Sequence, residues 1–250
     1  MTGLETLPVE LLYEVQLYAL SATLPITSRR LYAIFNTAPP SFRAQYILSH
    51  VEPDVRLSDA VSKILRFPLC NMTVLDAVLQ WKRSCPTPAP ARAPELPKRL
   101  FRALGPRTDR EYRASDEPLP LLRYLYASPR IAPPDANSHE GYALTRAVHA
   151  EFLPLVRLLL EHGALPQHKR GLAVLVAIRQ KKLPLVRMLI ERAEPGGGKR
   201  NKKRRLEDRI EVTPEMLKAA VKCKARDIAE YFMQEKEVVP DIQTLHMLMR

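Results

Sequence analysis

Glycine is scarce in this chain of 250 residues: there are eight, against twenty-three prolines. Tight hairpins need glycine at positive φ, whereas a helix accepts proline in its first turn, so the balance argues against a sheet and for helices joined by proline-rich connections. Cysteine is scarcer still. Cys70, Cys85 and Cys223 are odd in number and show no CxxC spacing, so no disulfide framework is expected. Charges interrupt every apolar stretch, Leu155 to Ile190 included, before it reaches the roughly 18 to 20 residues of a membrane span. The opening MTGLETLPVELL has no basic segment leading into an apolar core. A soluble chain of a reducing, intracellular compartment, nuclear or cytoplasmic, is the expectation, with no membrane partner.

Catalytic raw material is equally thin. The sequence holds no HExxH, no GxSxG, no glycine-rich phosphate loop and no paired catalytic carboxylates. His50, His139, His149, His162, His168 and His246 are scattered without metal-ligand spacing. Cys223 sits between Lys222 and Lys224, which would favour a thiolate, but no His–Asp pair lies near it in sequence. The chain is therefore expected not to be an enzyme and to carry no metal and no cofactor.

What is present is a core and a charge. With 46% hydrophobic and 26% charged residues the chain can fold compactly, as one large or two modest domains. A formal charge of +12 favours acidic partners without choosing among them. Residues 1–95 carry 9 basic and 8 acidic side chains, residues 96–195 carry 17 and 10, and residues 196–250 carry 13 and 9. The excess is thus C-terminal. Its sharpest expression is a glycine-led loop, 195–209, containing Lys199, Arg200, Lys202, Lys203, Arg204 and Arg205. Such a run can be read by a nuclear import receptor, contact phosphates, or simply be solvated. No aromatic residue is interleaved to stack a base, which weighs against nucleic acid. The proline cluster at 85–97 reads as a linker, because neither helix nor central strand crosses it.

An internal repeat organises the second half. Residues 141–163 align without gaps to residues 171–193, with ten of 23 positions identical, among them Gly141/Gly171, Ala147/Ala177 and the block Leu153-Pro-Leu-Val-Arg157 against Leu183-Pro-Leu-Val-Arg187. This spacing predicts two antiparallel helices per unit. The first carries alanine where backbones approach; the second starts at Leu-Pro and buries Leu155, Val156, Leu159 and Leu160 on one stripe, with Gly163 as a left-handed cap. Arg157 and Arg187 recur at one place in successive second helices, where they line the solvent side or form a basic stripe for an acidic ligand. A further unit starts at Thr213-Pro214, a predicted N-cap followed by proline. Leu119-Pro-Leu-Leu-Arg-Tyr-Leu125 and Val74–Leu79 suggest two weaker ones. The pattern GxALxxAxxxxxLPLVRLLLEHGA resembles an ankyrin repeat, with Tyr142-Ala-Leu-Thr145 where the family carries Thr-Pro-Leu-His.

The first 50 residues read differently. Leu7-Pro8, Leu11, Leu12 and Val15 have helical spacing, and Leu31, Ile34 and Phe35 share a face of a second helix. LPxELLxEV followed by Ser28-Arg29-Arg30-Leu31 resembles the F-box, a small helical module that docks on the Skp-type adaptor of cullin-based ubiquitin ligases. The resemblance implies that Leu7, Pro8, Leu11, Leu12, Val15, Ser28 and Arg29 form the adaptor-binding strip. The other reading of this segment is a helical cap on the repeat stack. The whole chain resembles fungal proteins that join an F-box-like start to degenerate ankyrin repeats.

The expected architecture is all-α: an F-box-like module over 1–50, then an ankyrin-type solenoid over 51–250 with units near 57–81, 96–128, 140–168, 170–194 and 212–236 and a terminal helix at 241–250. The resemblance implies a substrate receptor of an SCF-type ligase, with a Skp-type adaptor and an unidentified target protein as partners. A scaffold without ligase role, or a nuclear protein contacting nucleic acid through the basic loop, are the alternatives.

Overall fold

The computed structural model describes residues 3–52, 57–81, 93–192 and 208–248. Among these residues the protein is all-α, with fourteen α-helices, two single 3-10 turns and no β-strand, only an isolated bridge between Glu95 and Asp135. No helix of the described residues is long and apolar enough to cross a membrane. The chain divides into two compact units, Met1–Pro97 with Pro120–Asp135, and Lys98–Leu119 with Ala136–Arg250.

The first unit contains α1 (Val9–Ala19), α2 (Arg29–Asn36), α3 (Pro40–Ser49), α4 (Leu57–Ile64) and α5 (Met72–Trp81). Ser28 caps α2, its Oγ accepting from the Leu31 N–H at 3.2 Å, and α3 begins at Pro40, where the missing N–H is no loss. Leu12, Leu31 and Phe35 form a core with Tyr13 and Phe42 against it, the last two rings stacked at 4.3 Å. α3 packs on both α1 and α5. After α6 (Arg99–Arg102), α7 (Leu119–Ala127) is formed by the LPLLRYL block. From Pro120 on, α7 belongs to this first unit, where the Tyr124 hydroxyl donates to Asp76 of α5 at 3.0 Å. The segment 96–128, expected to be one repeat, is thus divided: α6 lies in one unit and most of α7 in the other.

The second unit carries the repeat. Its helices are α8 (Ser138–His149) with α9 (Leu153–Glu161), α10 (His168–Arg179) with α11 (Leu183–Ile190), and α12 (Pro214–Lys222) with α13 (Arg226–Gln234), closed by α14 (Ile242–Leu248). First helices stack in order, α6 on α8, α8 on α10, α10 on α12 and α12 on α14. The alanines sit where that stacking is closest: Ala147, Ala177 and Ala220 have no exposed surface. Each pair is joined by the same turn. The N–H of Phe152, Lys182 and Ala225 reaches back five residues, to the carbonyls of Ala147, Ala177 and Ala220. The preceding residue, Glu151, Lys181 or Lys224, is left-handed at φ 54, 58 and 54°. This is the Schellman closure, made here three times without glycine. Gly163 has the expected left-handed cap, at φ 81°.

The three pairs are not entered in the same way. α8 and α10 are entered through a left-handed turn of three residues, His139–Gly141 and Lys169–Gly171. In the third pair Thr213 accepts the Met216 N–H on its hydroxyl instead. Glycine relieves strain at the close of the first turn: a Cβ on Gly141, at φ +70°, would stand 3.2 Å from the Cβ of His168.

One staple was not foreseeable. The Arg146 guanidinium on α8 donates to the carbonyls of Phe101, Arg102 and Leu104 at and just beyond the C-terminal end of α6. Beside it, Tyr112 stacks on the wholly buried Phe152 at 4.5 Å and donates to the Gly105 carbonyl at 2.9 Å.

Candidate functional site

α1 has two distinct faces. Leu12 and Gln16, four residues apart, are buried. Leu11, Val15 and Tyr18, at i, i+4 and i+7, share the other face. There Leu11 is 44% and Tyr18 88% exposed, and Val15 is half-buried. Leu4 and Val9 are exposed nearby along the chain, at 47% and 36%. Of the residues expected in an adaptor-binding strip, Pro8, Leu11 and Arg29 are exposed, and Leu7, Val15 and Ser28 are half-buried. Leu12 belongs to the core, packed with Leu31 and Phe35, and is withdrawn from the strip. Ser28 is occupied as the α2 cap. Tyr18 was missed in the sequence although the heptad step from Leu11 points to it. The reason is chemical: a tyrosine at a helix end ordinarily keeps its hydroxyl wet, so its ring carries no burial signal.

The basic run Lys199–Arg205 lies outside the described residues. Around the repeat, however, a groove of about 290 Å³ brings together Arg157 of α9, Arg187 of α11, Arg192 and Arg209 with Glu161 and Glu191. The two registered arginines of the repeat therefore line one groove, but they are not equivalent. Arg187 stacks on the Tyr231 ring with its guanidinium carbon 4.5 Å from the centroid and pairs with Glu191 and Glu235. Arg157 is exposed and has no carboxylate within ion-pair distance among the described residues. Arg209 keeps an Nη1 without a partner beside the like charge of Arg192, and burial with that charge pushes its guanidinium below its ordinary value.

Glu191 of the lining is tied into a hydrogen-bonded network. The Tyr231 hydroxyl donates to Glu191 at 2.8 Å, and burial, together with that carboxylate, drives its phenol well up, so it remains a neutral donor. Lys236 pairs with Asp208 at 2.8 Å. These groups fix side chains and offer no nucleophile with a base beside it. Among the described residues no cluster of three or more His, Cys, Asp or Glu is placed to hold a metal ion. Arg192 and Arg209 gave no sequence signal of their own, since Arg192 stands opposite His162 in the repeat and Arg209 ends the basic loop. No family model, no curated protein and no solved structure matches this chain.

Proposed function

We propose that this chain is a protein-interaction receptor that hands a bound target to a cullin-based ubiquitin ligase. The observation that carries the reading is the apolar face of α1, where Leu11, Val15 and Tyr18 stand beside, and not within, the face that buries Leu12 and Gln16. An apolar strip on a short helix is covered by a partner or it is a liability. Burying a leucine-sized side chain on docking yields about 1.5–3 kcal/mol, so a Skp-type adaptor with an apolar groove gains most of its attachment from Leu11 and Tyr18. The helix pairs hold the target, and the arginine-lined groove favours an acidic segment of it. No bond is made or broken by this chain; its contribution is to raise the local concentration of the target near the conjugating machinery.

Co-expression of the full chain with a Skp-type adaptor tests this, with wild type beside a Leu11→Asp, Tyr18→Asp variant and complex formation read by size-exclusion chromatography. Leu12 is left untouched, because its substitution would unfold the unit rather than probe the strip. The expected result is co-elution of wild type and loss of the complex in a variant whose helicity is unchanged. A folded, monodisperse wild type that never co-elutes with the adaptor makes the chain a helical-repeat scaffold.

A further inference from the structure

The first unit also contains a cavity that lies apart from the α1 strip. About 450 Å³ of space opens between the turn at Leu24–Ile26, α2, α3 and the Phe67–Leu69 turn. Its walls are predominantly apolar, with Phe35, Phe42, Phe67, Leu69 and Pro25 in the lining. That volume and character are those of small-molecule sites rather than of packing defects, which are far smaller.

Two polar side chains in the lining are left incomplete. Arg43 is half-buried, donates one guanidinium nitrogen to the Asn36 carbonyl, and keeps an Nε that is shut from water without a partner. No carboxylate is among the lining residues, and Arg43 forms no ion pair among the described residues. Gln16 is only 2% exposed; its Nε2 donates to the Ser21 carbonyl at 2.7 Å, which fixes the amide orientation, and its Oε1 has no partner. A cation drawn partly out of water without a counter-charge is unfavourable. An anion held beside it in an apolar cavity is correspondingly favoured, because the pair is poorly screened there.

We propose that this cavity binds a small apolar carboxylate, its hydrocarbon or aryl body against Phe35, Phe42 and Phe67 and its carboxylate beside the Arg43 guanidinium. The ligand supplies the charge the walls lack, while the apolar body supplies the binding energy. The site is independent of the adaptor reading, since none of its wall residues belongs to the exposed face of α1.

Decanoate and 1-decanol share a chain and differ in charge, so their comparison isolates the arginine. Both are titrated into the full-length protein at low ionic strength, with binding read by saturation-transfer NMR and calorimetry. The wild type is expected to bind decanoate at least tenfold more tightly than decanol. Arg43→Met removes that ratio, and Arg43→Lys keeps most of it. Ala22→Phe, at an exposed position on the rim, fills the cavity and weakens both ligands at least tenfold. Should Arg43→Met fail to fold, the wild-type ratio and the Ala22→Phe loss decide alone. Absent decanoate binding, equal affinities of acid and alcohol, a ratio that survives Arg43→Met in folded protein, or affinities untouched by Ala22→Phe each overturn the proposal.

Discussion

The two compact units use the same short helices, yet they close them in different ways. In the second unit three helix pairs are joined by one turn repeated three times, backbone satisfying backbone, from Phe152 to Ala147, Lys182 to Ala177 and Ala225 to Ala220. In the first unit side chains of several kinds tie the elements together alongside backbone turns: Ser28 to Leu31, Ser62 to Glu95, Tyr124 to Asp76, Gln16 to Ser21. Regular turns do not by themselves empty a unit of unsatisfied groups: the second unit keeps His149 Nδ1, His168 Nε2, Gln180 Oε1, Arg209 Nη1 and Thr244 Oγ1 buried without partners, and the first keeps Gln16 Oε1, Arg43 Nε and Ser58 Oγ. What sets the first unit apart is that Gln16 and Arg43 line an apolar cavity and that α1 keeps an exposed apolar face.

Three sets of substitutions sharpen that contrast. The largest effect is expected from the buried side chains that close each unit. Phe152→Ala removes a ring with no exposed surface that stacks on Tyr112, and should cost about 3–5 kcal/mol. Its loss should lower amide protection in 136–192 and 208–248 while α1 to α3 keep theirs, with Leu12→Ala giving the converse pattern. Hydrogen exchange read by segment measures this, and equal loss in both units from either substitution would make the division into two cores false.

Next come the left-handed turn residues. Glu151, Lys181 and Lys224 each hold a positive φ that a side chain disfavours by roughly 1–2 kcal/mol. Replacing each by glycine, with the greater chain entropy of glycine set against it, should stabilise the protein by similar amounts of up to about 1 kcal/mol, seen as equal rises in urea midpoint. Unequal gains would show that the three turns, alike in hydrogen bonding, differ in strain.

The smallest effect concerns pH. The backbone N–H of Arg113, then the Arg110 side chain and the charge of Arg107, outweigh partial burial and hold the Asp116 carboxyl below its ordinary value. A depressed carboxylate contributes stability that is present above its unfolded pKa and is lost as pH falls through its folded one. The segment 105–118 should therefore loosen on acidification below about pH 4, and Asp116→Asn should show the same loosening at neutral pH. Protection factors that stay level across that range would remove the carboxylate from the account.

Much of the second unit was legible because its information is periodic. Gly141/Gly171, Ala147/Ala177 and LPLVR at a spacing of 30 mark close approach, stacking and helix entry by residue type alone, and Thr213-Pro214 announces its own cap. The left-handed entry at 139–141 and 169–171 was not legible, since His, Glu, Lys and Arg carry no preference for it. Arg146 could not be read as the cap of α6 because its acceptors lie more than forty positions away. In the first unit, helical spacing placed α1 and α2 but could not say which of two adjacent leucines faces inward. Leu11 and Leu12 are chemically identical, and only the packing of Leu31 and Phe35 separates them. The division of 96–128 between units was hidden for the same reason, since LPLLRYL has the repeat's chemistry and a different neighbour.

The measurement that tests the central claim most directly is hydrogen exchange of the full chain with and without a Skp-type adaptor. Docking through the exposed face of α1 predicts new protection over residues 7–19, with the repeat helices from α8 onward unchanged. Protection confined to the repeats, or no change anywhere at saturating adaptor, would contradict it.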